Sequence, residues 1–168
     1  SPGWGCRVMH QLRAEGSEFA TSAARVFVFD AVVGAPRERV FDAIVAHPQT
    51  WKAWFPGITD GGYGSAGDHG VGATRLLGLA GIRVRETILV HEAPRHWTYR
   101  VDAASIPIAR AIVETWHFED LPDGTHVRWT FAIDPTLLFR LLPLPRTTIG
   151  AVWQRGMRNL GARLQRAS

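Results

Sequence analysis

The chain has 168 residues, of which 46% are hydrophobic and 20% are charged. This size and composition are typical of one globular domain with a sizeable core, and they exclude a disordered chain. Because no segment reaches the roughly 18 uninterrupted apolar residues that a bilayer span requires, the sequence predicts no stable membrane insertion.

The charge of the chain is basic but dispersed. Its net charge is +4 and its pI is about 10.2, and the basic residues are eighteen arginines and one lysine. These residues form no basic run, which argues against nucleic-acid binding and favours a weakly basic solvated surface.

Residues 1–22 are predicted to be a leader, partly disordered or left from cloning. They show no sustained periodicity, and Gly16–Phe19 resembles a cloning-site remnant. They also lack the apolar stretch of a signal peptide, and the single cysteine, Cys6, cannot form an internal disulfide. Both features favour a cytoplasmic location. Residues 23–168 are predicted to form a single domain.

The first predicted elements are a strand and two short helices. Arg25–Val33 is rich in valine and phenylalanine, which predicts a strand. Pro36 suits the first turn of a helix with one apolar stripe, and the His-Pro pair at 47–48 stops that helix. A second short helix is predicted over Gln49–Trp54, and the glycine-rich segment Gly57–Gly72 is predicted to be a strand with loose ends.

Antiparallel strands and a long helix follow. The strands are predicted over Gly72–Leu79, Ile82–Glu92, His96–Asp102, Ala109–Glu119 and His126–Asp134. The last two are joined by Leu121, Pro122, Asp123 and Gly124, whose Asp-Gly pair predicts a tight turn. After a proline-rich break, apolar residues recur on one face from Ile149 to Leu164 with arginines opposite, which predicts an amphipathic C-terminal helix.

Five segments resemble a known superfamily. They are VFVFDAVVGAPRERVFDA (26–43), WKAWFP (51–56), RVRETIL (83–89), PRHWTYRV (94–101) and residues 116–129. The chain resembles the START/SRPBCC superfamily, which joins lipid-transfer domains, polyketide cyclases and dehydrases, and birch-pollen allergen (Bet v 1-like) proteins. The element order and the resemblance predict an α+β helix-grip fold, a seven-stranded curved antiparallel sheet around a long C-terminal helix, with two short helices after the first strand.

Side-chain alternation predicts which residues face the inside of the curved sheet. The inward sets are Val84, Glu86, Ile88 and Val90; Trp97, Tyr99 and Val101; Ile112, Glu114, Trp116 and Phe118; and Val127, Trp129, Phe131 and Ile133. The same alternation predicts that His91, His117 and His126 face outward.

Glu86 and Glu114 therefore lie among hydrophobic side chains, where an ionised carboxylate is costly unless it is paired. Two interpretations stay open. A glutamate with a raised pKa would act as a general base, with Tyr99 or an arginine stabilising an enolate oxygen. Alternatively, each glutamate pairs with an arginine such as Arg75 or Arg110 and serves the structure alone.

The seven tryptophans supply more aromatic bulk than a small core needs, and the resemblance implies a gap between sheet and helix that holds a hydrophobic ligand. Trp51, Trp54 and Phe55, together with Leu137 to Leu144, are predicted to frame its entrance. A plain filled core is the alternative. The predicted ligand-binding residues are Trp51, Trp54, Phe55, Arg75, Trp97, Tyr99, Arg110, Trp116, Trp129, Phe131, Trp153 and Met157.

Binding or transfer of a lipid, isoprenoid or polyketide-like molecule is the favoured function, because it needs no group that the sequence fails to show. A polyketide cyclase or dehydratase that uses Glu86 or Glu114 as general base, assisted by Tyr99, is the alternative, and a protein-interaction module is a third class. No metal-ligand spacing and no nucleophile motif is present, so neither a metal nor a cofactor is predicted. A monomer or a homodimer is expected.

Overall fold

The computed structural model describes residues 8–64, 69–142 and 145–167. Cys6 lies outside these residues, as do Pro143 and Leu144 of the predicted entrance. Within the described residues, no helix is both long enough and apolar enough to cross a membrane.

The strands of the described residues are β1 (His10–Gln11), β2 (Arg25–Val33), β3 (Ile58–Tyr63), β4 (Thr74–Leu79), β5 (Ile82–Glu92), β6 (His96–Ala104), β7 (Ala109–Leu121) and β8 (Gly124–Pro135). They join one antiparallel sheet. Seven follow the order β2-β8-β7-β6-β5-β4-β3, and the short β1 pairs with β6, so the predicted seven-stranded sheet is confirmed with one addition.

The predicted helices are also present. α2 (Arg37–Val45) and a 3₁₀ helix (Pro48–Ala53) follow β2, and α4 (Arg146–Arg166) is the long C-terminal helix that packs on β2. Two four-residue helices were not predicted, α1 (Phe19–Ser22) and α3 (Leu137–Arg140). This arrangement confirms the predicted α+β helix-grip architecture.

The tight turn predicted over residues 121–124 between β7 and β8 is confirmed. Leu121 pairs with Gly124, and Pro122 and Asp123 form the two-residue loop between them. Gly124 has a φ of +154°, and a Cβ there would lie 2.3 Å from the carbonyl oxygen of Val33. Gly124 is therefore favoured both by its own backbone conformation and by the close approach of β2.

The segment before α1 closes a split in the sheet. β6 and β7 pair only as far as Arg100 and Val113, after which they separate. Leu12 and Arg13 enter the gap, where their amides donate to the carbonyls of Asp102 at 2.8 Å and Arg110 at 2.7 Å. Buried Leu12 packs in a cluster with the inward side chains at this end of the sheet, Val101, Ile112 and Ile133. Residues that the sequence analysis left outside the domain thus extend the sheet.

Strand register places the inward side chains in rows across the sheet. The tryptophan row is Trp97, Trp116, Trp129 and Phe29, each opposite the next on neighbouring strands. The glutamate row, two residues further along each strand, is Tyr99, Glu114, Phe131 and Phe27. The predicted inward sets of β7 and β8 are confirmed by these pairings.

The predicted facing of His91 and Val90 is wrong. The pairing of β5 with β6 shifts between Ile88 and Val90, so the bulge reverses the alternation for the rest of β5. His91 pairs with inward-facing Trp97, and its ring meets the edge of Phe41 at 5.7 Å. Val90 pairs instead with Thr98, which lies on the outer face. A one-residue bulge leaves no hydrophobic signature, so alternation alone could not locate it.

Candidate functional site

The tryptophan row is filled by protein side chains. α4 lays Trp153 over Trp129 in a stacked arrangement with ring centroids 5.9 Å apart, and Trp116 lies 5.8 Å from Trp129. Trp97 and Trp153 are fully buried, as is Met157 on the next turn of α4. The predicted aromatic cluster is therefore present, but in this half of the interior it forms a packed core.

Trp51 and Trp54 lie inside the core, which contradicts their predicted position at an entrance. Only 3% and 2% of their surfaces are exposed. The indole Nε1 of Trp51 donates to the carbonyl of Ile44 at 2.8 Å, and its ring meets the edge of Trp116 at 5.9 Å. Of the three aromatic residues predicted at the entrance, only Phe55 is half-buried, and it lies beside Gly156 of α4. The 3₁₀ helix turns the two indoles inward, an orientation that a six-residue segment cannot reveal in sequence.

Solvent reaches the inner face of the sheet at the glutamate row. Glu114 and Phe131 are both partly exposed although they face inward. Each lies in a strand paired on both sides, so a free sheet edge does not account for this exposure. Phe27, which stacks with Phe131 at 6.1 Å between ring centroids, is also partly exposed. The inward face is thus buried at the tryptophan row and partly exposed at Glu114, Phe131 and Phe27 of the glutamate row.

Glu114 is held by two neighbouring side chains. The Tyr99 hydroxyl donates to Oε2 of Glu114 at 2.5 Å, and the Trp129 indole donates to the same oxygen at 2.9 Å. The Trp116 indole in turn donates to the Tyr99 hydroxyl oxygen at 3.4 Å. Within the described residues, Oε1 of Glu114 receives no hydrogen bond and is left to solvent or a ligand.

The environment of Glu114 favours its neutral form. Burial, reinforced by the negative charge of Glu86, raises the pKa of Glu114 to about 7, and the two hydrogen bonds only partly oppose this shift. Burial and the nearby Glu114 carboxylate also raise the pKa of Tyr99 well above its ordinary value, so Tyr99 keeps its proton. Near neutral pH, Glu114 can therefore either accept or donate a hydrogen bond.

Glu86 is committed to Arg75, as the structural interpretation predicted. The two residues face each other on β5 and β4, and Arg75 Nε lies 2.6 Å from Glu86 Oε2. Burial raises the pKa of Glu86, and the Arg75 charge opposes the rise. Burial likewise disfavours the Arg75 charge, but the Glu86 carboxylate outweighs it and raises the pKa of Arg75. A carboxylate bound this way is poorly placed to remove a proton.

Three aromatic rings surround the Arg75 guanidinium. Its central carbon lies 4.8 Å from the ring centroid of Trp51, 4.7 Å from that of Trp97 and 4.6 Å from that of Tyr99. Neither Nη1 nor Nη2 has a hydrogen-bond partner among the described residues. The ring faces take the place of hydrogen-bond acceptors, since they attract a cation electrostatically.

Arg110 lies apart from the site. Its side chain is exposed, and the Arg110–Glu114 pair offered as one structural alternative is not formed. The register of β7 shifts between Ala109 and Ala111, which places Arg110 at an irregularity. No cluster of three or more His, Cys, Asp or Glu side chains that could hold a metal ion occurs among the described residues.

The sequence analysis missed Phe27 and Phe29. Both belong to β2, which was predicted as a strand, and both lie on its inward face opposite Phe131 and Trp129. Their alternation in the run VFVF was a usable signal. What the sequence lacked was the pairing of β2 with β8, far along the chain, which brings these rings beside Phe131 and Trp129.

Fold and site together define a helix-grip protein whose inward face is buried except at part of the glutamate row. The chain belongs to the polyketide cyclase / dehydrase and lipid transport family, whose model matches residues 24–165. A comparison with curated proteins found no match.

Solved structures share the fold. Ginseng major latex-like protein 151 from Panax ginseng has a TM-score of 0.68 at 13% identity, with 83% of this chain and 96% of that chain covered. Ara h 8.0201 has a TM-score of 0.65 at 14% identity, covering 84% and 97%. CalU16 from Micromonospora echinospora has a TM-score of 0.60 at 18% identity, covering 94% and 85%. At these identities the likeness concerns the fold alone.

Proposed function

We propose that the chain binds a small hydrophobic molecule, such as a lipid, isoprenoid or polyketide-like compound, against the glutamate row. The observation that carries the proposal is the partial exposure of Glu114 and Phe131 on the inner face of an otherwise filled interior. An apolar recess with few polar groups is the usual form of a small-molecule site. The family description, which includes lipid transport, supports the same class of ligand.

The chemistry of the row fits a largely apolar ligand with one polar group. Phe27 and Phe131 offer ring faces, and Trp129 continues the stack 5.6 Å from Phe131. Hydrocarbon or planar ligands gain free energy from such surfaces by burial and by stacking. Oε1 of Glu114 then orients the ligand, accepting from a hydroxyl when ionised or donating to a carbonyl when protonated.

The test is a fluorescence titration with N-phenyl-1-naphthylamine, an uncharged hydrophobic probe that accepts energy from tryptophan. Phe131→Lys places a cation in the recess and should weaken binding by at least about tenfold, because the charge must be desolvated. Val32→Lys is the matched control, since Val32 is 65% exposed. Equal affinity of both variants and the parent, with unchanged near-ultraviolet circular dichroism, would contradict the proposal. Native mass spectrometry of the purified protein would reveal a co-purifying ligand.

The second candidate function is that of a cyclase or dehydratase with Glu114 as general base. The raised pKa of Glu114, about 7, together with the open Oε1 favours it. The proton of an acidic C–H bond would move to Oε1, and the electron pair would pass to the adjacent carbonyl oxygen as an enolate. Binding remains the first choice because Tyr99 already donates to Glu114 and Arg75 to Glu86, which leaves neither aimed at an enolate.

Glu114→Gln separates the two functions. The amide oxygen keeps the hydrogen bonds from Tyr99 and Trp129 but cannot take up a proton near neutral pH. Retained probe affinity with lost turnover of a poly-β-ketone substrate would support catalysis. Turnover equal to that of the parent would exclude Glu114 as the base.

A further inference from the structure

A turn of exposed leucines follows the end of β8. The side chains of Leu137, Leu138, Leu141 and Leu142, here called the leucine turn, are 65%, 63%, 83% and 51% exposed. Isolated exposed leucines are ordinary, but four within six residues form a contiguous apolar projection, which marks an interaction site. Pro145 ends this segment, and α4 begins at the next residue.

The only charged side chains in the leucine turn and in the sequence that follows it are positive. From Pro135 to Ser168 there are six arginines and neither aspartate nor glutamate, so this stretch alone contributes +6. Arg155, Arg158, Arg163 and Arg166 are exposed on α4, and within the described residues none of the four forms an ion pair. Arg140 in the turn has a loose contact of 3.7 Å with Asp134 and remains half exposed.

We propose that the leucine turn and α4 form a peripheral docking surface for an anionic lipid bilayer. Burial of leucine side chains in the apolar boundary of the bilayer favours docking, and so does the attraction between the arginines of α4 and anionic headgroups. The leucine turn directly precedes α4 in the chain, and the proposal requires both to contact the same bilayer surface. Docking is reversible, because α4 cannot span the bilayer.

Charge complementarity singles out this occupant. A second copy of the chain would bring two sets of unpaired arginines together, and their repulsion opposes self-association through this face. Nucleic acid would attract the arginines but would leave the leucines in water. An anionic bilayer satisfies both features. This inference goes beyond the proposed ligand site and does not require it.

The experiment is vesicle flotation with the full chain. Vesicles of phosphatidylcholine with phosphatidylglycerol should carry the protein, and vesicles of phosphatidylcholine alone should carry much less. Leu137→Ser/Leu141→Ser should reduce binding by about tenfold, because two apolar side chains no longer enter the bilayer. The matched control is Val32→Ser/Val71→Ser, which removes side chains that are 65% and 69% exposed elsewhere. It should bind like the parent.

A second pair of variants tests the charge. Arg155→Gln/Arg158→Gln should lower affinity by about fivefold or more per arginine, and added salt should weaken the parent more than this variant. Arg95→Gln/Arg110→Gln removes the same net charge from other exposed positions and should have a smaller effect.

Three results would overturn the proposal. The first is absence of binding to anionic vesicles. The second is unchanged binding of the leucine variant while the arginine variant loses affinity, which would indicate a purely electrostatic surface such as one for nucleic acid. The third is a leucine-dependent dimer, seen by light scattering, that excludes the vesicles. Because vesicle flotation uses no hydrophobic ligand, a negative result would not contradict the proposed hydrophobic-ligand site.

Discussion

Tyr99 and Glu114 face each other across β6 and β7, and the tyrosine hydroxyl donates to the carboxylate at 2.5 Å. Their strands place them in the glutamate row, where the inward-facing Phe131 and Phe27 are partly exposed. A carboxyl group here is buried enough to resist ionisation yet accessible enough to meet a ligand. Both proposed roles of Glu114, as the group that orients a ligand and as a general base, depend on this combination of burial and access.

Glu114 should make the stability of the protein depend on pH. Its folded pKa of about 7 lies above its ordinary value of 4.5, so the folded state binds the proton more tightly than the unfolded state. The stabilising contribution is complete below pH 4.5 and is lost as pH rises through 7. Up to about 3 kcal/mol is at stake. Urea unfolding at pH 4.5 and 7.5 measures it.

Glu114→Gln is the comparison that isolates this effect, because all other titrating groups stay the same. The stability of this variant relative to the parent should rise between pH 4.5 and 7.5, since an amide has no proton to lose. Stability curves that run parallel over this interval would show that Glu114 ionises normally.

The buried pair of Arg75 and Glu86 should show strong coupling. Arg75→Met leaves a carboxylate without its partner among apolar side chains and should cost about 3–5 kcal/mol of unfolding free energy. Glu86→Leu should cost a similar amount, because it leaves a caged cation. The double variant should be far more stable than the sum of the two losses, which guanidinium unfolding of all four proteins would reveal.

An exposed pair provides the reference for that cycle. Arg128 Nε lies 2.8 Å from Asp30 Oδ1, and both side chains are about half exposed. Arg128→Met should therefore cost less than about 1 kcal/mol. Additive losses at Arg75 and Glu86 would mean that the pair contributes no more than this surface contact.

The order of elements could be predicted from sequence because local patterns determine it. Arg25–Val33 and Ile82–Glu92 have the predicted bounds, since each is a dense run of strand-forming residues between clear breaks. The inward facing of Glu86 and Glu114 followed from alternation, and the pairing of Glu86 with Arg75 was one of the two interpretations that the sequence left open.

Features that depend on distant parts of the chain could not be predicted. The bulge that turns His91 inward arises from the pairing of β5 with β6, and the burial of Trp51 depends on how the 3₁₀ helix packs against Trp116. Whether the interior is hollow depends on packing density, which side-chain size alone does not determine. The sequence showed many large rings. Only the strand register shows that the rings fill the tryptophan row and leave part of the glutamate row exposed.

Leu12 tests how firmly the first described residues belong to the fold. Its side chain is 9% exposed and packs on Val101, Ile112 and Ile133 in the gap between β6 and β7. Leu12→Ala should cost about 2–3 kcal/mol, because it removes buried apolar atoms and leaves a cavity. Val8→Ala, at a side chain 81% exposed, should change the unfolding free energy by less than about 0.5 kcal/mol. Urea unfolding compares the two, and equal, negligible losses would show that the segment is only loosely attached to the sheet.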